Sequence, residues 1–166
     1  MIILGIDPGT TSIGYAFLKK TKENRNPKLL TADLVFITSK SGAGRLEELH
    51  RHLNHLIRKW KPETVSTEKL FFAQNTKTAM EVSEARGTIL LTAALAGLNV
   101  YEYTPLEMKM ALTGDGRADK TQVKKMVRLM MPETANLKAK DDVFDAIALA
   151  LTCFFKEHNT LKGREK

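Results

Sequence analysis

The sequence predicts an α/β fold, a five-stranded mixed sheet with helices on both faces. Three observations lead there. Three apolar, β-rich runs (2–7, 12–19 and 29–38) follow one another through short links, the pattern of an antiparallel meander. Helix-period and strand-period segments then alternate over 45–60, 63–68, about 76–96 and 99–103, as crossover units of a parallel sheet do. A length of 166 residues, with no internal repeat or low-complexity stretch, suits a single domain, 1–166, with a sizeable core.

The elements follow in order. Ile2-Ile3-Leu4-Gly5-Ile6 reads as a buried strand that ends on Asp7. Pro8 has no donor for a ladder and Gly9 frees the backbone, so the chain turns there and resumes as a strand at Ser12. Residues 19–28 are polar, with Asn24, Asn26 and Pro27, and form a surface loop. After the third strand, Ser41 can cap a helix. Leu46, Leu49, Leu53, Leu56, Ile57 and Trp60 recur at helical spacing, with Arg45, Arg51, Arg58 and Lys59 on the other face, and Pro62 ends that helix. Val65 and Thr67 are β-branched, and this strand too ends on an acid, Glu68. Phe71 to Gln74 form a loop, and Thr76 or Thr78 opens a long helix that contains Gly87. Pro105 starts a short helix over 106–112, followed by a basic, flexible loop from Gly114 to Lys120. Asp119 caps a helix over 120–131, which Pro132 stops. The final amphipathic helix is expected over 141–155, with 156–166 as a flexible polar tail.

Lys plus Arg number 26 against 19 acids, a formal net charge of +7, which suggests a polyanion as partner. The lone Cys153 excludes an internal disulfide and a cysteine-based zinc site. No apolar stretch reaches the ~18 residues of a membrane span. The N-terminus enters a strand without the basic segment and cleavage site of a signal peptide, so the cytoplasm is the expected location.

Four acids occupy special positions. Asp7 and Glu68 end strands; Asp142 and Asp145 lie three apart on one face at the start of the last helix, where Asp141 is an alternative partner for Asp145. If the two strands are neighbours, the helix can bring its acids beside theirs. Carboxylates that close repel and need a cation. Oxygen donors suit Mg²⁺ or Mn²⁺, and two such ions ~4 Å apart support phosphodiester hydrolysis. In isolation, acids in a first helical turn are also explained by the helix dipole. His52 and His55 stand i, i+3, but helix-face histidines are ordinarily solvated. There is no Ser/His/Asp arrangement and no full phosphate-binding loop to compete.

Five segments in order resemble the RuvC family of Holliday-junction resolvases: GIDPGTTSIGYA, TEKLFFAQN, SEARG, GDGRADKTQV and KDDVFDAIALALTC. The resemblance implies an RNase H-like fold, a homodimer, and Mg²⁺-dependent nicking of two strands of four-way junction DNA in recombination and repair, alongside a branch-migration motor. By motif position it assigns the metal-binding, catalytic acids to Asp7, Glu68, Asp142 and Asp145, and leaves Asp141 as a cap or supporting residue. Phe71 matches an aromatic that stacks on a base near the crossover, and Lys109 and Lys120 match basic residues near the scissile phosphate. Arg117 and the Phe71-Phe72 pair belong to this chain's own DNA-facing loops, with one phenylalanine expected inside and one out. Met80, Glu84, Gly87 and Leu91 form a stripe on the long helix that either faces a twin subunit or packs on the sheet. Two other readings compete. One is a junction-binding module without catalysis. The other is an ATP-binding domain of the actin and sugar-kinase type, whose phosphate loop Asp7-Pro8-Gly9-Thr10-Thr11 imitates but whose second lobe 166 residues cannot supply.

Overall fold

The computed structural model describes residues 1–20, 27–69, 76–135 and 137–162. Five strands, β1 (Ile2–Asp7), β2 (Ser12–Lys19), β3 (Lys28–Phe36), β4 (Thr64–Glu68) and β5 (Asn99–Tyr103), form one sheet in the order β3-β2-β1-β4-β5. The first three pair antiparallel; β4 and β5 join β1 in parallel. The crossovers are α1 (Gly42–Trp60), between β3 and β4, and α2 (Thr76–Leu95), between β4 and β5. Helices α3 (Pro105–Thr113), α4 (Lys120–Met130) and α5 (Asp141–Lys162) follow. Among the described residues, no helix is long and apolar enough to cross a membrane.

Side-chain alternation along the strands sorts the core into two layers. Leu4, Ile6, Ile13 and Phe17 meet α1 and α2 through Leu49, Leu53, Ala85 and Ile89. Ile3, Ala16 and Leu18 meet α3 to α5 through Met108, Val123, Ala146 and Ile147. Because Ile3, Gly5 and Asp7 alternate with Leu4 and Ile6, Asp7 belongs to the α5 side.

Local signals set most boundaries. Ser41 caps α1, accepting from the Gly44 N–H at 3.0 Å, so the helix begins at Gly42, ahead of the expected 45. Thr104 and Asp119 close reciprocal capping boxes with Glu107 and Gln122 at the starts of α3 and α4. β3 stops at Phe36 and not at Thr38, because the Thr38 and Ser39 N–H groups donate to the Glu48 carboxylate, each at 2.9 Å, instead of to a ladder. The largest correction is at the end: 156–162 continues α5 where a flexible tail was expected. No Gly or Pro interrupts the helix before Gly163. Lys156 donates to Glu107 at 3.0 Å, and the Tyr103 hydroxyl donates to Glu157 at 3.1 Å.

Candidate active site

Two parallel strands bring the first two acids together. The β1–β4 register runs from Ile3–Thr64 to Ile6–Thr67, so Asp7 and Glu68 are the next residues of each strand, at their carboxyl ends. That is the end at which open α/β sheets hold ligands. Ser66 shares the face of Glu68 and donates to the Leu149 carbonyl at 2.7 Å, which ties α5 to β4.

The other two acids arrive on α5, and glycines decide how closely. A Cβ on Gly5 would stand 2.1 Å from the Ala146 carbonyl oxygen, and one on Gly14 would stand 2.0 Å from that of Asp142. The helix therefore lies directly on the backbone of β1 and β2, with its first turns over the strand ends. Ser12, at the start of β2, donates its hydroxyl to Asp142 Oδ2 at 3.1 Å.

The result is a cleft of about 330 Å³ lined by Asp7, Glu68, Asp142, Asp145, Lys109, Lys120, Pro105, Met108 and Val123. Burial, then the charges of Asp145, Glu68 and Asp142, push the Asp7 carboxyl up to about 8, against the pull of Lys120. Burial and then Asp145 raise Glu68. Burial raises Asp145 although Lys120 opposes it. Lys120 Nζ stands 3.5 Å from Asp145 Oδ2, and that carboxylate holds the ammonium above its ordinary range.

This donor set fits hard divalent cations. All four acids offer only oxygen, and their mutual repulsion leaves the cleft short of positive charge. Among the described residues, no three His, Cys, Asp or Glu side chains form a ready metal cage. The carboxylates share the cleft without closing on one point, and Lys120 occupies Asp145. A cation at Asp145 would displace that ammonium, which the exposed, long stem of Lys120 permits.

The remaining expected residues divide. Lys109 and Lys120 line the cleft. Arg117 does not; it is exposed in the loop before α4, where its N–H donates to Asp115 Oδ1 at 2.8 Å. Asp141 is also outside the lining and pairs with Lys124 at 3.3 Å. Phe71 and Phe72 lie outside the described residues. On α2, Ala85, Ile89 and Ala93 pack inward, while Met80, Glu84, Gly87 and Leu91 are exposed, so the stripe does not pack on the sheet. His52 stands 3.8 Å from Glu48. The Ser12 contact and the close approaches at Gly5 and Gly14 were missed by sequence reasoning; small residues at alternate strand positions facing Ala146 and Ala150 were the available signal.

Comparison with known proteins identifies the family. The family described as "Crossover junction endodeoxyribonuclease RuvC" matches residues 3–153. The crossover junction endodeoxyribonuclease RuvC of Halothermothrix orenii is 40% identical over 152 residues, 91% of this chain and 90% of that one. Its counterpart in Moorella thermoacetica is 43% identical over 159 residues, 91% of this chain and 89% of that one. The solved structure of Thermus thermophilus RuvC superposes with a TM-score of 0.84 at 32% identity, covering 96% of this chain and 97% of that one. With that coverage at both the sequence and the fold level, this chain belongs to the RuvC family of crossover junction endodeoxyribonucleases.

Proposed function

We propose that this chain is a Holliday junction resolvase, which nicks two strands of a four-way DNA junction symmetrically with Mg²⁺ or Mn²⁺, two ions per site, held by Asp7, Glu68, Asp142 and Asp145. The observation that carries the reading is the gathering of four carboxylates from β1, β4 and α5 with two lysines in one open cleft. A relative supports the substrate: Thermus thermophilus RuvC, 28% identical over 96% of this chain, has been solved in complex with Holliday junction substrate, with a TM-score of 0.81.

Asp7, Glu68, Asp142 and Asp145 would hold divalent ions, and the chemistry supplied there would be activation of water and stabilisation of the leaving oxygen. The chain supplies the rest. The sheet fixes Asp7 and Glu68 rigidly, and Ser12 orients Asp142. Lys109 and Lys120 meet the backbone phosphates on either side of the cut and make binding salt-sensitive. Phe71 or Phe72, just past the β4 acid, stacks on a base unstacked at the crossover, an interaction worth ~1–3 kcal/mol. Arg117, exposed on its loop, contacts DNA outside the cleft. The complete acid set argues against a binding module without catalysis. The described residues form one sheet with no second lobe, unlike an actin-type ATP-binding domain. The setting is the cytoplasm, beside a branch-migration motor.

The decisive assay compares a mobile four-way junction with linear duplex, each with Mg²⁺ and with EDTA. Paired nicks are expected only on the junction with Mg²⁺; equal cutting of linear duplex, or cutting in EDTA, overturns the reading.

Two symmetric cuts call for two sites, and isologous pairing supplies them. The exposed α2 stripe is the surface for it: Met80 is 72% and Leu91 59% exposed, too much apolar area to leave in water without a use. Leu91→Glu is expected to leave the fold intact and to convert a dimer at micromolar concentration into a monomer by sedimentation equilibrium, with the two nicks uncoupled. A variant that sediments as the wild type does would move the interface elsewhere.

A further inference from the structure

On the sheet face opposite the cleft, the outer side of α1 carries a groove of about 390 Å³ lined by His50, Arg51, Asn54, His55 and Arg58. We propose that this groove binds the sugar-phosphate backbone of a duplex arm running off the junction, a second DNA contact distinct from the catalytic cleft.

The charge is available. Arg51, His55 and Arg58 are exposed, and among the described residues no acid pairs with either arginine. The helix carries two acids, but only Glu47 faces water. Glu48 is 9% exposed, and its oxygens are taken by the Thr38 and Ser39 N–H groups and the Thr38 hydroxyl. Arg45, at the start of α1, is paired with Glu81 at 3.2 Å, so the free cations lie further along.

The floor of the groove is built, and its polarity can be worked out. Thr92, 1% exposed, donates its hydroxyl to the Thr88 carbonyl at 2.7 Å. It therefore accepts from His50 Nδ1–H at 2.8 Å. His50 Nε2 is then an acceptor, filled by the Asn54 amide at 2.8 Å. This relay fixes the histidine tautomer and the amide, and leaves Asn54 a second N–H to offer. A neutral donor held between two free arginines suits a phosphodiester, whose charge is single and whose oxygens are acceptors only. Seven residues separate Arg51 from Arg58, ~10 Å along the helix, enough to reach two phosphates.

The groove is also placed for an arm. β3 runs parallel to β1 through two antiparallel steps, so it ends at the same edge as Asp7, and α1 starts there and leads away. Four arms diverge from a junction seated at that edge. One of them reaches α1 as a straight rod down the flank of the molecule, without the cost of bending duplex.

The inference rests on the junction-cleaving reading, and its test separates the two. Binding of the full chain is measured in EDTA by fluorescence anisotropy against salt. Two junctions are used: one with arms of about 25 base pairs, the other with hairpin-closed arms of about 4. At ~3.4 Å per pair the short arms end ~14 Å out, no further than the level of Arg51 and well short of Arg58 at ~24 Å along the helix. For Arg51→Glu/Arg58→Glu, and more mildly for Arg51→Gln/Arg58→Gln, affinity for the long-armed junction should fall about ten-fold with a salt slope shallower by ~2. The short-armed junction should lose less than about two-fold, with melting curves unchanged. Wild-type affinity and slope on long arms in both variants, or equal losses on both junctions, overturns the proposal. Failure of the wild-type chain to cut any junction with Mg²⁺ would instead overturn the junction-cleaving reading.

Discussion

Asp7→Asn should slow junction cleavage by about 10³-fold or more, the scale of losing one essential electrostatic group at a reacting phosphate. The same variant should bind the junction within a few-fold of wild type, since the lysines remain and one repelling charge is gone. It should also be more stable than wild type in EDTA. The Asp7 carboxyl has a value of about 8 in the folded chain against an ordinary 3.8. The folded state thus binds that proton more tightly than the unfolded state does. Stability is unpenalised below about 4, falls as pH rises through the window to about 8, and carries the full penalty above it. Asparagine has no such proton. The difference in melting temperature should therefore be small at low pH and widen towards pH 8, reaching on the order of 1–3 kcal/mol, or about 2–4 °C per kcal/mol. Glu68 and Asp145 are raised too, first by burial and then by neighbouring carboxylates, so both proteins share a weaker trend of the same sign. Mg²⁺ should stabilise wild type more than the variant and close the gap. Wild-type cutting by Asp7→Asn would remove this acid from the chemistry; a pH-independent gap would remove the crowding.

What was readable in the residues was local. The Ile3/Leu4/Gly5/Ile6 alternation gave the strand, Ser41, Thr104 and Asp119 gave helix starts, and Pro8-Gly9 gave the turn. The meeting of Asp7 and Glu68 was readable as well, because both end strands and crossover connections make such strands parallel neighbours. The contacts that complete the cleft are not local. Ser12 reaches an aspartate 130 positions away, and Lys120 one 25 away, only because α5 lies across β1 and β2. No periodicity encodes that crossing. Arg117 was read as facing DNA from its loop; it stands outside the cleft although it is close in sequence to Lys120, because the capping box at Asp119 fixes where the helix begins, not where the preceding loop faces. The length of α5 was misjudged for a simpler reason. Polar composition after Phe155 resembled a tail, while Tyr103 and Glu107 hold the next turn from other elements.

That crossing is itself open to test, through the two glycines beneath it. Gly5→Ala would set a methyl group 2.1 Å from the Ala146 carbonyl oxygen and 2.9 Å from both the amide and the Cβ of Ala150. Gly14→Ala would set one 2.0 Å from the Asp142 carbonyl oxygen. The carbonyl oxygens and the amide are helix backbone atoms and the Ala150 Cβ is fixed to that backbone, so none can rotate aside, and α5 must lift or the strand must bend. Overpacking of this kind costs about 1–3 kcal/mol and occasionally more. The loss should appear in a thermal melt of either variant. Because Asp142 and Asp145 ride on the displaced segment, cleavage should suffer beyond the loss of stability, by about 10²-fold for a shift near 1 Å. Ser66→Ala separates the two effects. It removes the 2.7 Å bond to the Leu149 carbonyl, further along α5, and should lower stability by about 1 kcal/mol while leaving the acids in place. The comparison is made on the folded fraction, well below each melting point. If Gly14→Ala melts early but its folded fraction cuts as fast as Ser66→Ala, the glycine only accommodates packing. If it cuts slowly while still folded, the bare backbone of β2 sets where the helix carboxylates stand.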